Sequence, residues 1–448
     1  MKYNLLLNTL NDIVKIPSVS AAGLKTKPIK QTAEFVIRLF KENGFNTILN
    51  TIKGNPIIYA ERIISPAKPT IIFYNHYDVQ PPDPLNEWIS GPFKPTVRSG
   101  KLFGRGVSDN KGNLIARLAA VKSFIDAKLQ LSVNIKFLVE GAEEIGSPGL
   151  SDFIRKYRSK LSADVCVWEF GKRNDKGVPE LSLGVKGIIY VQLSVKGPKD
   201  DLHSSLGITI PNPAWRLNWA LASLKDSRER ILIKGFYDNC LPLTAADIKV
   251  LSPGLLNEAL TKKEMGINKF LLGLTGKPLL KRHFYQPALN INGLTSGYQG
   301  PGHKTVLPKQ ASAKIDFRLV PNQNPQDILK KLRRHLDSKG FNDVKISYSD
   351  GYPPGRTAPN HPFIRKYMPL LNTIAKNIFG HKFIIEPISP TSGPMYLIDR
   401  HLKIPCIAFG FGVQPGANIH APNENIILSD YNKGVKFIVE LFKKFSNY

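Results

Sequence analysis

The sequence predicts an α/β fold, with a central sheet of mostly parallel strands flanked by helices and an inserted α+β segment that carries an antiparallel sheet. Two observations support this prediction. Short runs rich in β-branched residues alternate with helical patterns towards both ends of the chain, as they do in α/β layers. Between them, residues 187–197 and 311–320 alternate apolar and polar side chains, as half-exposed antiparallel strands do.

The individual elements follow from two periodicities. Helices are predicted where apolar residues recur every three or four positions, and strands where β-branched residues form short runs. The predicted helices are Leu5 to Val14, Ala33 to Phe40, Lys111 to Ala127 and Asn432 to Phe445. The predicted strands of the central sheet are PIIYAE (56–61), TIIFYNHYD (70–78), VNIKFLVEG (133–141) and IPCIAFGFG (404–412).

The change in pattern divides the chain into three segments. Residues 1–186 form the first part of one domain, residues 187–350 an inserted domain, and residues 351–448 the second part of the first domain. The second boundary falls at the turn-rich stretch DGYPPGRTAP (350–359), where glycine and proline end regular elements. We therefore expect two domains, one of which is interrupted by the other.

Length and composition limit the class of protein. The chain has 448 residues, of which 42% are hydrophobic and 22% charged, so it can bury the cores of two or three domains. No apolar run reaches the roughly 18 residues that a membrane span requires. The first residues also lack the apolar core of a signal peptide. We therefore expect a cytoplasmic protein without a membrane partner.

The chain is strongly basic, with 62 Lys and Arg against 35 Asp and Glu and a net charge of +27. This excess is spread along the chain, whereas a nucleic-acid-binding module usually concentrates its charge on one tail, stripe or patch. We expect no nucleic-acid partner, and two explanations stay open: a general surface bias, or attraction of anionic substrates. The isolated Cys166, Cys240 and Cys406 predict neither a disulfide framework nor a zinc knuckle.

Histidine and acidic residues follow the predicted strands where those strands end. In open α/β sheets, ligands gather outside the carboxyl ends of the strands. His76 and Asp78 lie two positions apart and face the same way, so the carboxylate could hold a metal-bound imidazole. Asp109 precedes a predicted helix. Its two oxygens could bridge two cations, or it could cap the helix that begins near Lys111.

Three further segments supply carboxylate or imidazole groups. Glu143 and Glu144 are adjacent after a buried strand, and two carboxylates in different environments can divide cation binding and proton transfer. Such a pair is also common on solvated surfaces. Glu169 and His420 each follow an apolar run and are weak signals alone. Together these residues suit a pair of borderline divalent cations such as zinc, manganese or cobalt.

Six motifs occur in order from near residue 70 to the C-terminus. They are NHYDVQPPDPLNEWISGPFKPTVRSGKLFGRGVSDNKG (75–112), EGAEEIGSPGL (140–150), DLHSS (201–205), KTVLP (304–308), RLVPNQ (318–323) and IHAPNE (419–424). In this order they resemble the M20 family of metallopeptidases, particularly its carnosine-dipeptidase-like branch. The first motif alone is long and specific.

The resemblance implies a catalytic domain that holds two divalent metal ions, zinc first, with manganese or cobalt as alternatives. The implied ligands are His76, Asp109 and Glu169 for one ion, and Asp109, Glu144 and His420 for the other. Two further carboxylates receive roles. Asp78 is implied as the partner that holds His76, and Glu143 as the general base.

The resemblance further implies that the inserted domain is a lid or dimerisation domain that completes the site. His203 matches a histidine that stabilises the oxyanion, often from the other subunit, so a homodimer through this domain is implied. Arg318 matches a residue that pairs with the substrate carboxylate, as a guanidinium fork can, although a surface ion pair is the alternative. Thr305, Ser392 and Gly393 are expected to line the same pocket.

The implied activity is hydrolysis of the amide bond of a small peptide that carries a free carboxylate, of the dipeptidase or carboxypeptidase type. Two departures from the dipeptidase branch leave the substrate open. Glu169 stands where that branch usually has Asp, and Glu is more typical of carboxypeptidases and N-deacylases. Asn110 stands where the branch often has a second Asp. The alternative is therefore a deacylase of N-acetyl or N-succinyl amino acids.

Overall fold

The computed structural model describes residues 5–51 and 53–447 of the chain. These residues contain eleven α-helices and twenty-one strands. The helices are α1 (Leu7–Val14), α2 (Lys27–Glu42), α3 (Lys111–Asp126), α4 (Leu150–Lys156), α5 (Pro213–Ala222), α6 (Ala245–Val250), α7 (Glu258–Glu264), α8 (Gly276–Tyr285), α9 (Pro325–Ser338), α10 (Pro362–Phe379) and α11 (Leu428–Lys444). None of these helices combines the length and apolarity that crossing a bilayer requires.

The strands are short in the first and last parts of the chain and longest in its middle. They are β1 (Asn46–Asn50), β2 (Ile57–Arg62), β3 (Thr70–His76), β4 (Thr96–Arg98), β5 (Lys101–Phe103), β6 (Asn134–Glu140), β7 (Val165–Val167), β8 (Gly171–Arg173), β9 (Pro179–Ser182), β10 (Gly184–Val185), β11 (Gly187–Lys196), β12 (Leu202–His203), β13 (Ala288–Ser296), β14 (Val306–Leu307), β15 (Gln310–Leu319), β16 (Lys345–Tyr352), β17 (Gly355–Arg356), β18 (Ile384–Glu386), β19 (Cys406–Ile407), β20 (Gly412–Val413) and β21 (Asn425–Ile427).

A six-stranded sheet in the order β1-β2-β6-β3-β7-β19 forms the centre of the α/β architecture. Strands β6, β3, β7 and β19 are parallel, and β1 and β2 extend the sheet antiparallel. The two faces of β3 enter different cores, because side chains alternate along a strand. Ile71 and Phe73 pack with helices α1, α2, α3, α10 and α11, whereas Ile72 and Tyr74 pack towards α4. The predicted α/β layers are thus confirmed.

An antiparallel sheet in the order β13-β15-β11-β16 contains the two alternating segments predicted from the sequence. Strand β11 pairs with β15 from Gly187↔Leu319 to Lys196↔Gln310, and its burial alternates along its length. Its apolar face and helices α5 and α9 form a separate core within residues 189–344. This segment therefore buries its own apolar residues.

The apolar run at residues 404–412 differs from the single predicted strand. Only Cys406 and Ile407 join the central sheet, as β19 beside β7. Gly410 and Gly412 then adopt φ of 142° and 113°, a backbone region that favours glycine. The chain leaves the sheet there, and β20 pairs with β8 in another sheet. An apolar run alone does not reveal such a change of sheet.

Candidate metal centre

Three neighbouring parallel strands bring chemically active side chains to one edge of the central sheet. Strand β3 ends at His76, β6 ends three residues before Glu143, and β7 ends two residues before Glu169. Because β6, β3 and β7 are parallel neighbours, their carboxyl ends meet at the same edge. Asp109 reaches this edge from the loop before α3.

Asp109 lies between two histidines. Its Oδ1 is 2.9 Å from Nε2 of His76, and its Oδ2 is 3.0 Å from Nε2 of His420. The two imidazoles therefore face different oxygens of one carboxylate. The alternative of a helix cap is not what the structure shows, since Asn110 is the N-cap residue of α3 and no side chain caps this helix.

Each histidine also faces a second carboxylate. Oε2 of Glu169 lies 3.8 Å from Nε2 of His76, and Oε2 of Glu144 lies 3.3 Å from Nε2 of His420. Asp109 is therefore shared between two groups of three side chains. These groups have the composition of the two predicted ligand sets.

The donors in this cluster fit divalent cations. Oε1 of Glu144 and Oε2 of Glu169 are buried and have no hydrogen-bond partner among the described residues. Such an oxygen is costly to bury unless a proton or a cation binds to it. One ligand atom from each of His76, Asp109 and Glu144 lies within 4.8 Å of the others. Imidazole and carboxylate donors at this spacing suit zinc and similar ions.

Asp78 holds two parts of the centre together. Its carboxylate oxygens accept hydrogen bonds from the backbone N–H groups of Glu143, at 3.2 Å, and Glu144, at 3.1 Å. The Nδ1 of His76 lies 3.1 Å from the backbone oxygen of Asp78 and 3.4 Å from its carboxylate. Asp78 thus fixes the turn that carries both glutamates and also contacts the imidazole.

Gly393 lies next to Glu143, and its neighbour Ser392 contacts Arg318. A methyl group placed on Gly393 would lie 3.5 Å from Oε1 of Glu143. The adjacent Ser392 hydroxyl accepts a hydrogen bond from Nη1 of Arg318 at 3.1 Å. Nε of Arg318 is also 3.3 Å from Oδ2 of Asp316 on the same strand. Arg318 therefore combines a local ion pair with a contact to Ser392, the neighbour of Gly393.

His203 and Thr305 lie together at the β12–β14 pair of the inserted segment. His203 is exposed, and its Nδ1 lies 2.8 Å from the hydroxyl of Ser205. The N–H of Ser204 donates to the backbone oxygen of Thr305 at 3.1 Å, beside the β12–β14 pair. No hydrogen bond or ion pair within residues 5–51 and 53–447 joins either residue to the metal centre. In the described part of the chain, the hydrogen bonds of His203 are therefore local ones.

Comparison with known proteins identifies the family. The model of peptidase family M20/M25/M40 matches residues 72–444 of the chain. The chain belongs to this family. The M20 membership expected from the six motifs is confirmed, and with it an enzyme of the hydrolase class.

Several relatives and solved structures resemble this M20 peptidase. A Beta-Ala-His dipeptidase of Homo sapiens is 32% identical, over 86% of this chain and 77% of the relative. A Cys-Gly metallodipeptidase of Schizosaccharomyces pombe is 31% identical, over 75% of this chain and 73% of the relative. The crystal structure of an M20 family metallo-carboxypeptidase from Sulfolobus solfataricus is 36% identical, covers 99% of both chains and superposes with a TM-score of 0.90. These similarities do not favour the deacylase alternative.

Burial and hydrogen bonds shift the pKa values of several side chains in the M20 centre. Burial raises the pKa of Glu169 to about 8. Burial, together with repulsion from Glu169, raises the pKa of Glu143 well above its ordinary value. For His76, burial lowers the pKa, but hydrogen bonds to Asp109 and Asp78 outweigh it and hold the pKa well above the ordinary range. Divalent metal use follows from the family, and metal binding requires these ligands to lose their protons.

Glu424 supports the M20 centre and has no role among the sequence predictions. Its Oε2 accepts hydrogen bonds from Arg105 at 2.8 Å and from the N–H of Gly106 at 3.0 Å. Its Oε1 accepts from the N–H groups of Ser108, at 2.9 Å, and Asp109, at 3.0 Å. One buried carboxylate thus fixes the loop that presents Asp109. Its place at the end of the IHAPNE motif is the only sequence signal for it.

Three more side chains form hydrogen bonds to Glu144 and Glu169 of the candidate centre. Nε2 of Gln80 donates to Oε2 of Glu144 at 2.9 Å. Nε1 of Trp168 donates to Oε1 of Glu169 at 3.1 Å. Asn110, the position where the dipeptidase branch often has Asp, donates through Nδ2 to the backbone oxygen of Glu169 at 2.7 Å. Such contacts keep ligands in place and contribute to metal affinity.

Proposed function

We propose that the protein is a dipeptidase or carboxypeptidase whose centre holds two divalent cations, zinc first, with manganese or cobalt as alternatives. One observation supports this most directly: the two oxygens of Asp109 face two different histidines, each of which faces a further glutamate. The proposed ligands are His76, Asp109 and Glu169 for one ion, and Asp109, Glu144 and His420 for the other.

The proposed chemistry is attack of water on a peptide carbonyl. Two divalent cations, when bound, would polarise the carbonyl and lower the pKa of a bound water. Glu143 takes the proton of the attacking water and returns it to the leaving amine, as a general base and then a general acid. Asp78 keeps Glu143 in place through the backbone N–H of that residue.

The substrate would carry a free carboxylate. Arg318, which donates to the Ser392 hydroxyl, offers a guanidinium group, and a planar guanidinium can bind a carboxylate through paired hydrogen bonds. Gly393 leaves the space beside Glu143 open, because it has no side chain. Thr305 lies beside His203, so it would line this pocket only together with His203, from the partner subunit of a dimer.

We also propose that residues 187–350 form a lid and dimerisation domain, between catalytic segments 1–186 and 351–448. Two tryptophans one turn apart on α5, Trp215 and Trp219, are 58% and 56% exposed, with ring centroids 6.0 Å apart. Ile208, close to His203 along the chain, is 90% exposed. Strand β13 is an unpaired edge of the antiparallel sheet. Large exposed apolar groups and open edges are typical of interaction surfaces.

A homodimer through this surface would let His203 of one subunit serve the centre of the other as an oxyanion donor. The test of the surface is the double variant Trp215→Glu with Trp219→Glu, studied by sedimentation equilibrium. We expect dissociation, whereas Ile89→Glu, at a residue that is 78% exposed outside the segment, leaves the assembly unchanged. The shared site is tested by mixing inactive His203→Ala and Glu143→Ala proteins. Recovery of part of the activity supports the arrangement, and no recovery despite subunit exchange contradicts it.

Cellular location and partners also belong to the proposal. The three cysteines are unpaired thiols, which agrees with a reducing compartment such as the cytoplasm. The expectation that the protein has no nucleic-acid partner stays a prediction. Filter binding that is tight and falls steeply with salt would contradict it.

The activity is tested by a screen of metal-loaded protein against dipeptides, carboxypeptidase substrates and N-acyl amino acids. We expect peptides with a free carboxylate to be cleaved and N-acyl amino acids to be poor substrates. The Glu143→Gln variant should retain its metal and lose at least about a hundredfold in kcat, the range typical of a general base. Turnover within a few-fold of wild type would show that Glu143 is not the base.

A further inference from the structure

A cavity of about 720 Å³ lies beside Arg318 and has a strongly basic wall. Four of its lining side chains are cations, Lys186, Lys225, Arg282 and Arg318, whereas Glu229 is its one acidic lining residue among those the structure describes. A volume of this order is typical of sites for small ligands. The composition of the wall indicates an anionic ligand.

Only part of this positive charge is neutralised within the wall. Oε2 of Glu229 accepts a hydrogen bond from Nζ of Lys225 at 2.6 Å, so these two charges form a pair. Lys186 is 4% exposed, and its Nζ donates to the backbone oxygens of His283 and Gln286, both at 2.7 Å. Carbonyl oxygens carry no net charge. The buried ammonium group of Lys186 is therefore solvated by the protein, but no carboxylate of the described residues pairs with it.

Arg318 pairs with Asp316 at 3.3 Å, whereas Arg282 has no carboxylate partner among the described residues and adds to this excess. Arg282 donates to the neutral side chain of Gln286 at 3.1 Å. Burial, and then the positive charges of Arg318 and Arg282, lower the pKa of Lys186 to about 8. Lys186 thus lies in the field of two arginines, of which only Arg318 has a carboxylate partner among the described residues, beside a space large enough for a ligand. A carboxylate in that space would relieve the repulsion and accept charge-assisted hydrogen bonds.

The cavity adjoins the proposed substrate pocket. Arg318 belongs to both, because it lines the cavity and also donates to Ser392, the neighbour of Gly393. Pro390, two residues before Ser392, is another lining residue. A peptide held by Arg318 with its scissile bond near Glu143 would therefore have this cavity next to its C-terminal residue.

Building on the proposed peptidase function, we propose that this cavity is a subsite for the acidic side chain of a C-terminal glutamate or aspartate. Lys186 and Arg282 would bind the side-chain carboxylate, and Arg318 the main-chain carboxylate. The substrate class is thus peptides that carry two carboxylates at the C-terminal residue. The subsite would determine specificity and take no part in bond cleavage.

The test compares peptides of equal size that differ in one charge. For the metal-loaded wild type, kcat/KM for Ala-Glu should exceed that for Ala-Gln by at least about tenfold, the effect of one charge-assisted hydrogen bond or more. Arg282→Gln should reduce this ratio about tenfold. Lys186→Met should reduce it similarly, which gives a second variant if either one folds poorly. Lys281→Gln is the matched control, because Lys281 is the exposed neighbour outside the cavity, and the ratio should not change.

Titration calorimetry with free glutamate and glutamine gives the same comparison without turnover. A wild-type ratio near one, or a ratio that Arg282→Gln leaves intact, would overturn the subsite while Ala-Gln cleavage still upholds the peptidase function. Absence of cleavage of both peptides, combined with a glutamate preference that Arg282→Gln removes, would uphold the subsite and reject the peptidase function. Inorganic phosphate that binds only when Arg282 is present, with both peptides cleaved equally, would assign the cavity to a free anion and overturn the proposal.

Discussion

Replacing Glu424 by glutamine tests how strongly the centre depends on the loop beneath Asp109. In Glu424→Gln, one carboxylate oxygen becomes an NH2 group, which cannot accept a hydrogen bond from an N–H donor. Two of the four donors that face Glu424 would therefore lose their acceptor. Arg105 would also lose its counter-charge, and it would lose it in the interior, because both side chains are only 1% exposed.

The size of the effect follows from this burial. Removing one partner of a buried ion pair costs about 3–5 kcal/mol, because the other charge stays buried without compensation. We therefore expect the free energy of unfolding of metal-free Glu424→Gln protein to fall by about 3 kcal/mol or more. Because Asp109 is displaced with its loop, zinc affinity should fall about 10- to 100-fold.

The assay is urea unfolding of the metal-free protein followed by circular dichroism, together with zinc titration against a chromophoric chelator. Glu440→Gln is the control, since Glu440 is a partly exposed residue that pairs with Lys443 at 2.8 Å and Lys444 at 3.4 Å. Its loss should cost no more than about 1 kcal/mol. A Glu424→Gln protein with the stability of this control and the zinc affinity of wild type would refute the positioning role.

Three further predictions concern the space beside the base, pH and metal removal. Gly393→Val places carbon atoms in the space next to Glu143. The value of kcat/KM for a dipeptide should therefore fall at least about tenfold, with metal content unchanged. Undiminished turnover would contradict this. Burial and repulsion from Glu386 raise the pKa of Glu180 from 4.5 to about 7, only partly offset by Lys172. Between these two pH values the folded state binds more protons than the unfolded state, so the free energy of unfolding of the wild type falls as pH rises. Glu180→Gln lacks this titrating group, so its free energy of unfolding relative to wild type should rise by up to about 3 kcal/mol from pH 4.5 to 8, measured by urea unfolding. An equal pH dependence of the two proteins would contradict this. Chelation should abolish activity and lower the thermal midpoint, because the acidic cluster loses its cations, and a midpoint unaffected by zinc would contradict the metal centre.

Strands β11 and β15 show what the sequence predicts well. Their alternation of apolar and polar residues fixes both the strand and the buried face, and the observed pairing joins the two predicted segments residue by residue. The residues at the ends of β3, β6 and β7 are brought together for a similar reason. Parallel neighbours align their ends, so motifs far apart in sequence meet at one edge.

The less predictable features depend on partners that are distant in the chain. The carboxylate of Glu424 binds donors of residues 105–109, more than 300 positions earlier, and no local pattern reveals that contact. The segment 404–412 changes sheets at two glycines, although its composition indicates one continuous strand. His203 is exposed and bonds only near itself in the described chain, so the role that the resemblance implies stays a prediction.

The most direct test of the central claim is anomalous diffraction from crystals of the zinc-loaded protein, measured at the zinc absorption edge. We expect two anomalous peaks per chain, each next to a different oxygen of Asp109, one beside His76 and the other beside His420. Crystals of His420→Ala should lose the second peak and keep the first. A single peak in the wild type, or two peaks away from Asp109, would contradict a centre of two cations bridged by this carboxylate.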